Sequence, residues 1–124
     1  MTLVDTNVLL RWLLNDHPKL TASASSIVEL APAGSLLLTD IVVSEIVHVL
    51  RGKGYSYIQI TEALLLLNRT PSIKFENEEL ILTIIGLLDS LKLDFADCYL
   101  LVRSRREHLQ LATFDKKLRR AADV

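Results

Sequence analysis

Four carboxylates stand where the pattern of the chain changes: Asp5 in V-D-T-N, Glu45 in V-S-E-I-V-H, Asp97 in D-F-A-D-C and Asp115 in A-T-F-D-K-K. Carboxylates serve as general acids and bases, and they hold hard divalent cations. Each of these four also has a plainer use. Asp5 follows an apolar start and precedes V-L-L-R-W-L-L, so it serves equally well as a helix N-cap or as a ligand. Thr6 and Asn7 beside it also cap well and would leave Asp5 free. Ser44, Glu45, His48 and Arg51 make one polar helical stripe, either a solvent face or the wall of a cleft. Asp94 and Asp97 are three residues apart, the spacing of a capping box with a short acid. The same spacing sends both carboxylates out from one helix end. Asp115 stands at an N-cap position, with the Thr113 hydroxyl within reach of a carboxylate or a water.

As a set, the acids recur at element boundaries. Two carboxylates ~4 Å apart repel by about 4 kcal/mol at an effective dielectric of about 20. If they converge, a proton or a cation must relieve them. No lysine stands next in sequence to Asp5, Glu45 or Asp97. Oxygen ligands, with His17, His48 and His108 lacking zinc spacing, favour Mg²⁺ or Mn²⁺ over Zn²⁺.

The elements that must position these acids alternate. Thr2 to Val4 reads as a buried strand, and a helix follows D-T-N. Asp16 and Pro18 start a second helix, which runs to about Ala31. Ser35 to Leu38 reads as a strand. Thr39 and Asp40 cap the segment IVVSEIVHVLR, which is helical in pattern although its β-branched residues also suit a strand. Gly52 to Gly54 stop it. A helix over YIQITEALLLLN breaks at Arg69 to Pro71, and Ser72 to Phe75 reads as a strand. Glu76, Glu78 and Glu79 sit at the favourable end of a helix that reaches about Leu91. Asp94 opens FADCYLLVRSRREH, Leu109 to Thr113 reads as a last strand, and Asp115 caps KKLRRAA. Apolar strands separated by helices predict a parallel sheet covered on both faces. Such sheets bind ligands beyond the C-terminal ends of their strands. Asp5, Thr39 with Asp40, and Thr113 to Asp115 all fall at such ends.

At 124 residues and 50% apolar content, the chain is expected to form one domain, residues 1–124, with a real core. A formal charge of -1 excludes a general polycation. Half of the 14 basic residues lie from Arg103 to Arg120, either two solvated helix faces or a platform for a polyanion. Cys98 is the only cysteine, so no intrachain disulfide forms, which fits a reducing cytoplasm. Asp5 and Arg11 interrupt any signal-peptide pattern. Apolar runs such as LILTIIGLL are well short of the ~20 residues that span a bilayer, so no membrane role is expected.

V-D-T-N-V-L, S-E in an apolar helix, D-F-A-D-C-Y-L-L and A-T-F-D-K-K-L, in this order, resemble the motifs of PIN-domain ribonucleases. The likeness is nearest to the small VapC-type toxins of toxin–antitoxin pairs, and it spans nearly the whole chain. The resemblance implies a three-layer α/β/α sandwich around a short parallel sheet and metal-dependent cleavage of RNA. It implies that Asp5, Glu45, Asp97 and Asp115 are the catalytic acids around Mg²⁺ or Mn²⁺, with Asp94 an auxiliary ligand. Thr6, Asn7 and Thr113 match supporting polar positions. Cys98 stands where the family usually has a small residue such as Ala. Arg11, Arg103, Lys116 and Lys117 would meet RNA phosphates. A homodimer and a cognate antitoxin are the implied protein partners.

Two rivals remain. A haloacid-dehalogenase-like phosphotransferase would use Asp5 as nucleophile, but it needs an acid where Asn7 stands. A non-catalytic module on the same fold would bind nucleic acid or protein through the basic face.

Overall fold

The computed structural model describes residues 1–123. Strand β1 (Thr2–Leu3) leads into α1 (Thr6–Leu14) and α2 (Pro18–Leu30), then β2 (Leu36–Leu38), α3 (Asp40–Gly52), α4 (Tyr57–Arg69) and β3 (Ile73–Phe75). Helices α5 (Glu78–Leu91), α6 (Phe95–Glu107) and α7 (Lys116–Ala122) complete the described chain. The sheet is parallel, in the order β1-β2-β3, with Leu3 opposite Leu37 and Leu38 opposite Phe75. The fold is the expected α/β/α arrangement around a short parallel sheet.

Local chemistry explains the boundaries. Segment α3 is a helix despite its β-branched residues. Val42 N–H donates to Thr39 Oγ1 at its start, and Lys53 N–H closes onto the carbonyls of its last turn. Gly54, at φ 93°, then turns the chain where a side chain would be strained. Ser56 and Gln59 form a reciprocal capping box on α4. Helix α2 has Pro18 at its first position, as expected, but its cap is His17, whose Nδ1 accepts from Leu20 N–H. Asp16 instead pairs with Arg11.

The core gathers Leu9, Leu38, Ile46, Leu64, Ile84 and Leu101, all without solvent exposure. ALLLL and the α5 apolar run give most of their residues to it, with Leu66 and Leu82 left on the surface. Trp12 packs against the core at its margin.

The expected last strand does not form. Leu109 to Thr113 has no ladder partner among the described residues, and Leu109 is 55% exposed. Its polar groups go elsewhere. Leu109 N–H donates to Ser104 O while Leu109 O accepts from the Ser104 hydroxyl, and Thr113 O accepts from Arg119. The segment is therefore pinned at both ends to helices, and β1 keeps a free outer edge.

Candidate metal centre

The parallel register puts the ends of three strands on one edge. Asp5, Asp40 and Asn77 each stand two residues beyond a strand, after Leu3, Leu38 and Phe75. Asp40 and Asn77 are joined there, Nδ2 to Oδ2 at 2.8 Å, and Asp40 N–H donates to Glu76 at 3.2 Å. The other Asp40 oxygen is buried without a partner among the described residues. Reading the sequence placed Asp40 at this edge as a cap and did not count it among the site acids. Its orphan oxygen emerges only from the packing.

Asp5 is exposed and caps α1 itself, its Oδ1 accepting from Thr6 N–H at 2.8 Å. The expectation that Thr6 or Asn7 would relieve it of that task is not met. Asn7 lines a groove between α1 and α2 with Arg11 and Leu20.

Glu45 is exposed and faces a small cavity. That cavity, of about 190 Å³, lies between α3 and α6 and is shared by Ser44, Glu45, His48, Asp94 and Ala96. Glu45 and Asp94 therefore line one space, a pairing across distant sequence that no motif spacing predicts.

Asp94 caps α6, accepting from Asp97 N–H at 2.9 Å. Asp97, half-buried in the first turn, is held above the usual carboxylate range by burial and then by the charges of Asp94 and Asp115. Asp115 caps α7, accepting from Leu118 N–H at 2.8 Å, and its own N–H donates to Thr113 Oγ1 at 3.0 Å. Thr113 thus shapes the turn that presents Asp115. The two acids of the α6 end look two ways: Asp94 shares a cavity with Glu45, and Asp97 feels Asp115.

Cys98, fully buried behind this end, has its thiol pushed up to about 11 by burial and by Asp94 and Asp97. It is packing, not chemistry.

Among the basic candidates, Arg11 is engaged by Asp16 at 2.9 Å and Lys117 by the Lys92 carbonyl at 2.8 Å. Arg103 makes a two-pronged bond to Glu107, and Lys116 is exposed.

The donor chemistry fits a hard divalent cation. All the groups are oxygen ligands, and the field on Asp97 is one that a cation relieves. Among the described residues, no group of three or more His, Cys, Asp or Glu side chains closes on one point. The fit is therefore to an ion that takes one or two carboxylates and keeps most of its waters, as Mg²⁺ does.

A short parallel sheet under helices, with acids along its C-terminal edge, defines an α/β protein whose acids stand where open parallel sheets generally bind ligands. Among protein families, the PIN domain matches residues 2–124, and the chain belongs to that family. PIN domains are generally nucleases and generally use divalent metals. Comparison with curated proteins and with solved structures returns no match. No helix among the described residues is long and apolar enough to cross a membrane.

Proposed function

We propose that this PIN domain is a metal-dependent endoribonuclease and the toxin of a type II toxin–antitoxin pair. The observation that carries the nuclease reading is the raised protonation range of Asp97, set by burial and then by the charges of Asp94 and Asp115, in a PIN-family chain. Crowded carboxylates cost stability unless a cation uses them. In this reading Asp5 and Asp97 hold Mg²⁺ or Mn²⁺, with Glu45, Asp115 and Asp94 as direct or water-mediated ligands. The ion, when bound, supplies Lewis acidity at the phosphodiester and makes a nearby water more acidic.

The chain's own residues do the rest. The Asp94 cap fixes the first turn of α6 and so the direction of Asp97. The Thr113 hydroxyl fixes Asp115. Thr6 and Asn7 take the supporting polar positions that the motif resemblance implies beside Asp5, with Thr6 N–H donating to Asp5. Exposed cations, Lys116 among them, draw the RNA toward an acidic centre that would otherwise repel it. The toxin role, the antitoxin and a homodimer rest on the motif resemblance. A cytoplasmic single domain fits the lone reduced Cys98.

A second reading, a binding module without catalysis, is favoured by one observation: no three-acid group closes among the described residues. One experiment separates the two. A mixed RNA pool is incubated with the protein in Mg²⁺ or Mn²⁺ and in EDTA, beside Asp5→Asn and Asp97→Asn. The nuclease reading expects cutting that disappears in EDTA and falls at least ~100-fold in both variants, the upper end of what losing even an outer-shell partner costs. Binding without cutting by folded protein under all conditions supports the module.

A further inference from the structure

Three cavities join end to end along one face of α6. The first is the space shared by Glu45 and Asp94. The second, about 330 Å³ and mostly apolar-walled, shares Ser44, Phe95 and Ala96 with it and adds Asp40, Ile41, Tyr99 and Leu100. The third, about 540 Å³, begins at Tyr99 and is lined by Arg103 and Arg106 together with three carboxylates, Glu78, Glu79 and Glu107. Ala96, Tyr99, Arg103 and Arg106 are spaced as one helical stripe, so the groove follows the helix rather than crossing it. From Ala96 to Arg106 it runs about 15 Å at 1.5 Å per residue. That is room for a short strand rather than a single nucleotide.

We propose that this groove is the track of a single-stranded RNA from the acidic centre, with Tyr99 as a base platform and Arg103 and Arg106 as the phosphate subsite. The proposal deepens the nuclease reading and rests on it. Its order of chemistry is what a strand requires: acids at the cut, an apolar and aromatic stretch for a base, then guanidinium groups for a phosphate. The Arg103 guanidinium already sits 5.7 Å from the centre of the Tyr99 ring and bonds its hydroxyl, which holds both in place.

Both arginines rest on carboxylates. Arg103 is held by Glu107, and Arg106 by Glu79 at 2.8 Å. These pairs are solvent-facing, with the Glu79 side chain 87% exposed. Exposed pairs of this kind contribute little, so a phosphate that accepts two-pronged bonds displaces them. Glu107 is then a competitor of the RNA, which gives the test a sign that a structural role would not produce.

The test is the anisotropy of a fluorescein-labelled single-stranded oligoribonucleotide, titrated with the protein in EDTA so that binding is read without cutting. The double variant Arg103→Gln/Arg106→Gln should raise Kd about 10-fold and flatten the salt dependence by about 1.4, two single-strand phosphate contacts at about 0.7 each. Glu107→Gln should lower Kd several-fold. Tyr99→Leu should raise Kd while leaving the salt dependence unaltered. Unchanged affinity in the double variant, or equal weakening by Glu107→Gln, overturns the proposal. A dimer that Leu100→Glu breaks, with RNA affinity unaltered, gives this face to a second copy and also overturns it. Cutting is assayed separately in Mg²⁺. Binding with these signs but no cutting leaves the track standing and defeats the nuclease reading.

Discussion

The acids come from two regions built on different principles. Asp5 and Asp40 are presented by a sheet whose register is fixed by backbone ladders and by buried Leu36, Leu38 and Phe75. Asp97 and Asp115 are presented by helix ends. The segment between those helices makes no ladder, Phe114 is fully exposed, and α7 has one buried side chain, Leu118. In the first region a one-residue slip of β2 or β3 would turn buried Leu36, Leu38, Ile73 and Phe75 out of the core, so their register is firmly set. In the second, α6 anchors Asp97 through buried Phe95, Cys98, Leu101 and Val102, whereas Asp115 rests on a cap, a hydroxyl, Leu118 and a few side-chain bonds to carbonyls. A site that joins such halves has one wall fixed by the fold and one set locally, where a ligand can shift it at small cost.

Truncating one buried leucine in each half should break the comparison most clearly. Leu38→Ala should cost about 2–5 kcal/mol and lower the stability of the whole chain. Leu118→Ala removes a comparable side chain, but its effect should be local. Hydrogen exchange should accelerate over residues 109–123 while the strands stay protected. Uniform acceleration in Leu118→Ala would show that the halves are one cooperative unit.

Asp97 should respond in the opposite sense. With its protonation range raised, the charged form is disfavoured in the folded state. Stability is then greatest below that range and falls as pH rises through it. Asp97→Asn should raise the Tm of metal-free protein by a few degrees at neutral pH, and saturating Mg²⁺ should cancel or reverse the gain. Thermal denaturation with and without Mg²⁺ reads this directly.

The caps sharpen the distinction between structural and chemical acids. Asp115→Ala should cost about 1 kcal/mol through loss of the bond from Leu118 N–H. Asp115→Asn, which still caps, should keep stability but weaken cutting. Denaturant unfolding beside an RNA assay separates the two. The smallest effect concerns Cys98, which should not react with a thiol reagent at pH 8 until the protein unfolds.

Much of this was legible in the sequence because it is local. Thr39 before an apolar helix, Asp94 three residues before Asp97 and Asp115 before K-K-L are caps that spacing alone reveals. The parallel sheet followed from apolar strands between helices. What was not legible depends on packing between distant segments. Leu109 to Thr113 has the composition of a strand, but its carbonyls are taken by Ser104 and Arg119. Arg11 looked free for RNA, yet Asp16 lies within its reach. The cavity that Glu45 shares with Asp94 and the orphan oxygen of Asp40 exist only once α3 meets α6 and β3 meets β2.

In the proposed function one cation is shared between Asp5 at the sheet edge and Asp97 at a helix end. Mn²⁺ binding to the RNA-free protein, followed by the solvent-water relaxation it enhances, tests this most directly in the parent, Asp5→Asn and Asp97→Asn. Each variant, one from either half, should weaken Mn²⁺ binding at least ~10-fold, the least that losing even an outer-shell partner costs. Mn²⁺ affinity that survives either substitution unchanged would contradict it.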